Sequence, residues 1–244
     1  MKSTALLMLG TLFFVSCSDD DSDPHPAPSN DKGVNVQIRF NVDGDSLRLD
    51  TVMYTNAAGN HYSVGHLEFY LSDFHFYSSV KGIETVVDTV FYVNVRKPET
   101  LTRLLLNVAP APYDSCSFVI GVDSVHNIFG TLPSLTENIN MEWPLSMGGG
   151  YHHMKMEGYF ESGGSTVGYA MHLGTNGIQV HASNHFIIDV WPESGKGNMV
   201  LDMNINEWYQ NPMIYDFNID GNHSMGNMPA MMKLSANGAD VFYP

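Results

Sequence analysis

Hydrophobic and polar residues alternate along most of the chain from residue 34 onward, with the period of two that is typical of strands buried on one face. The clearest stretch is VNVQIRFNV at 34–42, followed by the turn Asp43-Gly44-Asp45 and a return strand at 47–49. The same alternation, interrupted by Gly, Asn, Asp and Pro, predicts strands at 61–70, 72–79, 84–95, 115–122, 151–161, 166–173, 183–191 and 198–205.

A helical pattern occurs near the C-terminus. Asn227 can cap a short helix over 228–236, where Pro229 falls in the tolerant first turn, and Asn237-Gly238 ends it. We find no tandem repeat and no second core. The pattern therefore predicts an all-β protein, a single antiparallel β-sandwich over residues 34–244 with a short C-terminal helix.

The N-terminus is typical of an exported protein. Lys2 precedes an apolar run at 5–15 that is too short to span a bilayer, so we predict a signal peptide over residues 1–16. The run ends in FVSC, which resembles a bacterial lipobox. Cys17 is thus the predicted lipidation site, and a plain signal peptide with a chance cysteine is the alternative.

Residues 17–33 comprise this cysteine and a polar, Pro-rich tether that contains too little apolar surface to fold. The tether begins SDDD, which resembles the acidic signal that sends some lipoproteins to the outer leaflet of the outer membrane. We expect an outer-membrane lipoprotein, held by its lipid anchor and exposed at the cell surface.

Charge and cysteine content exclude two classes of function. The 11 Lys and Arg stand against 26 Asp and Glu, a formal charge of −15, which makes nucleic acid an unsuitable partner. Apart from Cys17 the chain has one cysteine, Cys116, so neither an internal disulfide nor a Cys-based zinc site is expected. Cys116 is predicted to be a buried core thiol.

No catalytic motif is recognisable. The sequence lacks a G-x-S-x-G elbow, a phosphate-binding loop and an H-E-x-x-H pair. Acidic residues in Asp43-Gly44-Asp45 and Asp220-Gly221-Asn222 fit turns, and neither stretch has the ligand spacing of a calcium loop. We predict that the protein is not an enzyme. The alternative is a hydrolase, which would require two convergent carboxylates in a pocket.

Histidine and methionine are unusually abundant, with 11 His and 15 Met. Four methionines lie in NMEWPLSMGGGYHHMKMEG at 140–158, and four more lie in the nine residues that follow His223. Thioether and imidazole groups suit copper, especially Cu(I), and imidazoles alone also suit zinc. The composition therefore indicates copper, with zinc as the alternative.

Strict alternation assigns the histidines of the predicted strand at 151–161 to opposite faces. His152 would share the inward face with Met154 and Met156, just after the glycines at 148–150, and is a candidate ligand. His153 would face solvent. On the next strand, His172 lies among small residues that leave room for a ligand. The other histidines, His61, His66, His75, His126, His181 and His185, have no such context and are expected to be structural.

Trp143 lies immediately before Pro144, which disfavours helix at the tryptophan. Taken alone, an indole in an extended segment before a glycine run is expected to close one end of the core.

Landmarks in the same order along the chain resemble the MbnP-like family of secreted copper-binding proteins. They are LEFYLS at 67–72, IGVDS at 120–124 with Asn127, Trp143, GYHHMKMEG at 150–158, HLG at 172–174 and NGADVF at 237–242. The resemblance implies a β-rich extracytoplasmic protein that binds copper through histidines, in some members together with a tryptophan oxidised to kynurenine. It also implies a diheme peroxidase-like partner and a nearby outer-membrane receptor.

By this resemblance Trp143 is the candidate for modification. In the related copper proteins a histidine lies two positions from that tryptophan, whereas this chain has Met141 and Leu145 there. The alternative ligand set is His152, His172 and His223, with Met147 or Met225 as a soft ligand. A different class of function is a sandwich that binds carbohydrate or protein through Trp143, Tyr151, Trp191 and Trp208.

Overall fold

The computed structural model describes residues 32–184, 188–189 and 195–243, all within one compact unit, Asp31–Pro244. The predicted signal peptide, the lipidation site Cys17, most of the tether, His185 and Trp191 lie outside these residues. No helix within the described ranges is long and apolar enough to cross a membrane.

The described chain is built almost entirely from strands. In chain order these are β1 (Gly33–Val42), β2 (Asp45–Ser46), β3 (Tyr54–Thr55), β4 (His61–Tyr62), β5 (His66–Ser78), β6 (Ile83–Asn94), β7 (Thr102–Leu106), β8 (Pro112–Tyr113), β9 (Ser115–Ile120), β10 (His152–Ser162), β11 (Ser165–Gly174), β12 (Val180–Asn184), β13 (Ile188–Asp189), β14 (Lys196–Asn204) and β15 (Phe242–Tyr243). The helices are α1 (Thr136–Asn140) and α2 (Met228–Asn237), with 3-10 turns at Pro98–Thr100, Leu145–Met147, Ile205–Tyr209 and Gly238–Asp240.

Two sheets enclose the main core. The smaller has the order β15-β14-β1-β2, with β7 also paired to β1; the larger has the order β12-β9-β5-β10-β4-β3, with β11 on β10 and β6 on β5. Alternation buries Val34, Val36 and Ile38 of β1 in the same core cluster as Phe69 and Leu71 of β5. The predicted all-β class and C-terminal helix are confirmed, although one pair, β1 with β14, is parallel.

The larger sheet is also covered on its second face. Tyr70 alternates with Phe69 and Leu71 along β5, so it points away from the main core. There it packs with Val122, Met141 and Tyr151 in a smaller apolar cluster. Met141, which follows α1 in the segment between β9 and β10, therefore lies over the outer face of the larger sheet, whereas Trp143 of the same segment joins the main core cluster.

Local patterns located most of the elements. Asn227 caps α2 as predicted, because its side chain accepts a hydrogen bond from the Ala230 amide. The predicted strands 61–70 and 72–79 largely merge into the continuous β5. The helix α1 and the strand β7 were not predicted, because each is only five residues long and lacks a clear period; the two-residue strands β3, β8 and β15 were not predicted either. The return strand predicted at 47–49 lies instead at Asp45–Ser46.

Candidate metal centre

A β-bulge at the start of β10 sets the direction of the two adjacent histidines. His152 pairs with Gly174 and Met154 pairs with Leu173, so His153 is an extra residue between the two pairs. Met154 still faces the main core, but His152 takes the face of Gly174, which is also the face of His172. The prediction that His152 shares the face of Met154 is wrong, because strict alternation contains no bulge.

The bulge places three rings in a row. The His152 ring centre lies 4.8 Å from that of Trp143 and 5.2 Å from that of His172, edge to face in both cases. Trp143 is only 1% exposed. Its indole rests on Gly174, where an added methyl group would lie 2.1 Å from Cε3 of the tryptophan. The small residues predicted around His172 therefore make room for the indole.

His152 is held by a backbone carbonyl. Its amide donates to the Met141 oxygen at 2.6 Å, and its Nδ1 lies 3.1 Å from the same oxygen. A carbonyl only accepts hydrogen bonds, so the bond to Met141 places the ring proton on Nδ1 and leaves Nε2 as the unprotonated nitrogen. Burial lowers the pKa of His152 to about 3, and the positive charge of Lys155 acts in the same direction. The ring is therefore neutral at pH 7.

His172 is held by a carboxylate. Its Nε2 lies 2.7 Å from Oε1 of Glu157, and this hydrogen bond lowers the pKa of the Glu157 carboxyl. Its Nδ1 is buried and has no hydrogen-bond partner among the described residues. Ser224 fixes the backbone of His172 on both sides, because its hydroxyl contacts the amide and the carbonyl at 2.6 Å each.

The two histidines fit a metal ion. Metal-ligating histidines typically donate their second ring N–H to a carboxylate or a backbone carbonyl, as His152 does to Met141 and His172 does to Glu157. Two imidazoles that share one ion through bonds of about 2.0 Å have ring centres roughly 5 Å apart. The buried Nδ1 of His172 is an orphaned acceptor that such an ion would satisfy.

The remaining predicted ligands lie at the edge of this group. The Met147 carbonyl accepts the Trp143 indole N–H at 3.1 Å, and the Met147 methyl reaches the turn at Gly226. His223 is exposed and pairs with Ala170, two residues from His172 along β11. Trp143, His152 and His172 are thus brought together, Met147 adjoins them through its backbone, and His223 lies outside.

His153 is not a surface residue, and that prediction is wrong. The side chain is fully buried, and both ring nitrogens are used: Nδ1 accepts from the Val122 amide at 3.2 Å and Nε2 donates to the Thr175 carbonyl at 2.9 Å. Burial lowers its pKa to about 4, so it is neutral at pH 7. With no free lone pair it cannot serve as a metal ligand.

Glu157 and Ser224 were missed from sequence. Glu157 pairs with Ala170 across the β10–β11 hairpin, so its approach to His172 is diagonal and depends on the register. Alternation does place Glu157 on the outer face, which is the one indication the sequence provides. Ser224 lies in an irregular segment that pairs with the edge of β11, and no local pattern predicts this pairing.

Most of the other described histidines pair with polar neighbours. His66 and His75 approach carboxylates, and His126 forms a group with Asp88 and Asp123 in which one ligand atom from each lies within 4.8 Å of the others. The hydrogen bond that the His126 ring donates to the Asp123 carboxylate raises the pKa of His126. Asp123 also accepts a hydrogen bond from the Val125 amide, so this partly exposed group is best explained as an ion pair that stabilises a turn.

The aromatic residues proposed to bind carbohydrate are buried wherever the structure describes them. Trp143 and Tyr151 are 1% exposed and Trp208 is fully buried, so none of them can stack on a sugar. Trp191 lies outside the described residues.

Fold and site together define a class: a β-sandwich whose outer face carries two carbonyl- or carboxylate-oriented histidines beside a buried tryptophan. A family model for MbnP matches residues 31–228, and the chain belongs to the MbnP family. The solved structure of MbnP from Methylosinus trichosporium has a similar fold, with a TM-score of 0.58 and 12% sequence identity over 86% of this chain and 96% of that chain. No curated protein matches the sequence.

Proposed function

We propose that the protein binds one copper ion through Nε2 of His152 and Nδ1 of His172, and that it acts in copper acquisition or handling without catalysing a reaction. The observation that carries this proposal is the buried Nδ1 of His172, which has no hydrogen-bond partner among the described residues and lies beside a second imidazole, that of His152. Membership of the MbnP family supports the assignment. Imidazole ligands accept copper or zinc, and zinc is the competing ion.

Trp143 is the proposed site of oxidation to kynurenine. Its ring is next to His152, so a histidine approaches it from another strand although Met141 and Leu145 occupy the neighbouring sequence positions. A diheme peroxidase-like protein is the proposed oxidising partner. Conversion exchanges one carbon for one oxygen, a mass gain of about 4 Da that intact-mass analysis of protein from its native envelope would localise to Trp143.

The binding proposal is tested by calorimetric titration of the purified domain with Cu(I), Cu(II) and Zn(II). We expect His152→Ala and His172→Ala each to weaken copper binding at least tenfold, because each removes one ligand. His223→Ala and the exposed His181→Ala are matched controls and should bind as the wild type does. Equal affinity in all four variants would refute the assignment of the ligands.

The location is proposed to be the cell surface, through a lipid on Cys17 in the outer membrane, with an outer-membrane receptor as a further partner. Cys17→Ser should release the protein into the soluble fraction of cells that otherwise retain it in the membrane fraction. Protease added to intact cells should degrade the wild-type protein. Survival of the protein in that treatment would contradict surface exposure.

A further inference from the structure

The function of the adjacent pair His152-His153 depends on the bulge between them. A strand without the extra residue would place His153 opposite Gly174 and turn His152 to the face of Met154, because a slip of one residue moves a side chain to the other side of a sheet. His152 would then point into the main core, away from His172. The bulge is therefore what brings the two candidate ligands to one face.

His153 links the bulge to two other parts of the fold. Val122, which donates to its Nδ1, follows β9, and Thr175, which accepts from its Nε2, follows β11. The imidazole also fills the space beside Gly121, where an added methyl group would lie 2.7 Å from Nδ1. A buried ring with both nitrogens satisfied and no room to move is suited to holding one backbone geometry.

We propose that His153 is a positioning residue: its two hydrogen bonds fix the β-bulge and thereby aim His152 at His172 and Trp143. This inference rests on the proposed function for its effect on copper, but the ring geometry that it explains exists without a metal. The two adjacent histidines thus have separate roles, one as a ligand and one as the support that directs it.

Two variants perturb the packing and hydrogen bonds of His153 without changing a proposed metal ligand. His153→Leu fills the space but forms neither hydrogen bond. Gly121→Ala keeps the imidazole but pushes on it from the end of β9, and it also strains the backbone next to Val122, because Gly121 has a φ of +130°. His153→Gln is the conservative variant, because its amide can accept from Val122 and donate to Thr175. The exposed His181→Ala is the control.

Two measurements separate this proposal from the proposed function. In metal-free protein, NMR should detect proton contacts between the His152 ring and the Trp143 indole in the wild type and His153→Gln, and not in His153→Leu or Gly121→Ala. In copper titrations, His153→Leu and Gly121→Ala should bind copper at least tenfold more weakly than the wild type, the effect typical of losing a residue that orients a metal ligand. His153→Gln should recover most of the affinity.

The outcomes are distinct. A wild type that binds no copper refutes the proposed function, and the NMR contacts then decide the role of His153. Wild-type ring contacts in both perturbed variants refute the positioning role, whatever the copper affinity. If His153→Leu does not fold, Gly121→Ala decides the question by the same contacts.

Discussion

Glu68 carries a carboxylate into the outer face of the larger sheet, close to the candidate metal centre. Its side chain is only 8% exposed, and its carboxylate lies 3.0 Å from His66 Nε2 and 3.5 Å from Lys155 Nζ. It also accepts hydrogen bonds from the hydroxyl of Tyr92 and the amide of Asn94. Burial acts to raise its pKa, but the hydrogen bonds from His66 and Tyr92 outweigh burial and lower it to about 2.

The size of this pKa shift gives the contribution of the Glu68 charge to the free energy of unfolding. Lowering the pKa from 4.5 to about 2 on folding corresponds to about 3 kcal/mol of stabilisation. Because the folded-state pKa is the lower one, the stabilisation is complete above pH 4.5 and is lost as the pH falls toward 2. Glu68→Gln keeps the shape and one acceptor, so we expect it to lower the free energy of unfolding at pH 7 by about 2–3 kcal/mol.

Urea unfolding of the metal-free protein measures the effect. With an m-value of about 2–3 kcal/mol per molar, the midpoint should fall by about 1 M at pH 7 and by much less near pH 2. Glu84→Gln is the matched control, since Glu84 also pairs with a histidine but is exposed, and its midpoint should change little. A Glu68→Gln deficit that is absent at pH 7, or that persists unchanged near pH 2, would show that the charge is not the cause.

Three further outcomes follow from packing. Gly174→Ala should lower stability by about 1–3 kcal/mol and change the near-UV circular dichroism of the displaced indole, whereas Gly168→Ala on the same strand, where the nearest atom is 4.0 Å away, should do neither. Met154→Ala should cost about 2–5 kcal/mol in urea unfolding and the exposed Met232→Ala under about 0.5 kcal/mol; similar losses would contradict the assigned core. Burial raises the pKa of the Cys116 thiol, so iodoacetamide should label it in urea but not in the native protein, and rapid native labelling would contradict its burial.

The sequence predicted those parts of the fold that depend on local periodicity. Met154, Met156 and Phe160 lie in the core because alternation along β10 is regular after the bulge. The parallel pairing of β1 with β14 was not predictable, since nothing within either strand specifies its partner. The same limit applies to the short helix α1, whose position depends on the apolar cluster beneath it.

The candidate site was predictable in its residue types and partly in its members. Imidazoles beside small residues indicated His152 and His172, and the resemblance indicated Trp143. The direction of His152 and the burial of His153 could not be predicted, because both result from one extra residue in a strand. Glu157 was placed on the correct face by alternation, but its contact with His172 depends on a cross-strand register that the sequence does not state.

The parallel pairing of the first strand has a consequence for the order of folding. β1 joins β14 from Gly33 opposite Lys196 to Asn41 opposite Asn204, so most of the chain must be present before this pairing can form. Closing so long a loop carries a large entropic cost before any contact compensates for it, and folds rich in such distant contacts form slowly. During synthesis, the inner edge of β1 stays open until the last quarter of the chain arrives. Until β14 is synthesised, the backbone amides and carbonyls along that edge of β1 have no strand to pair with.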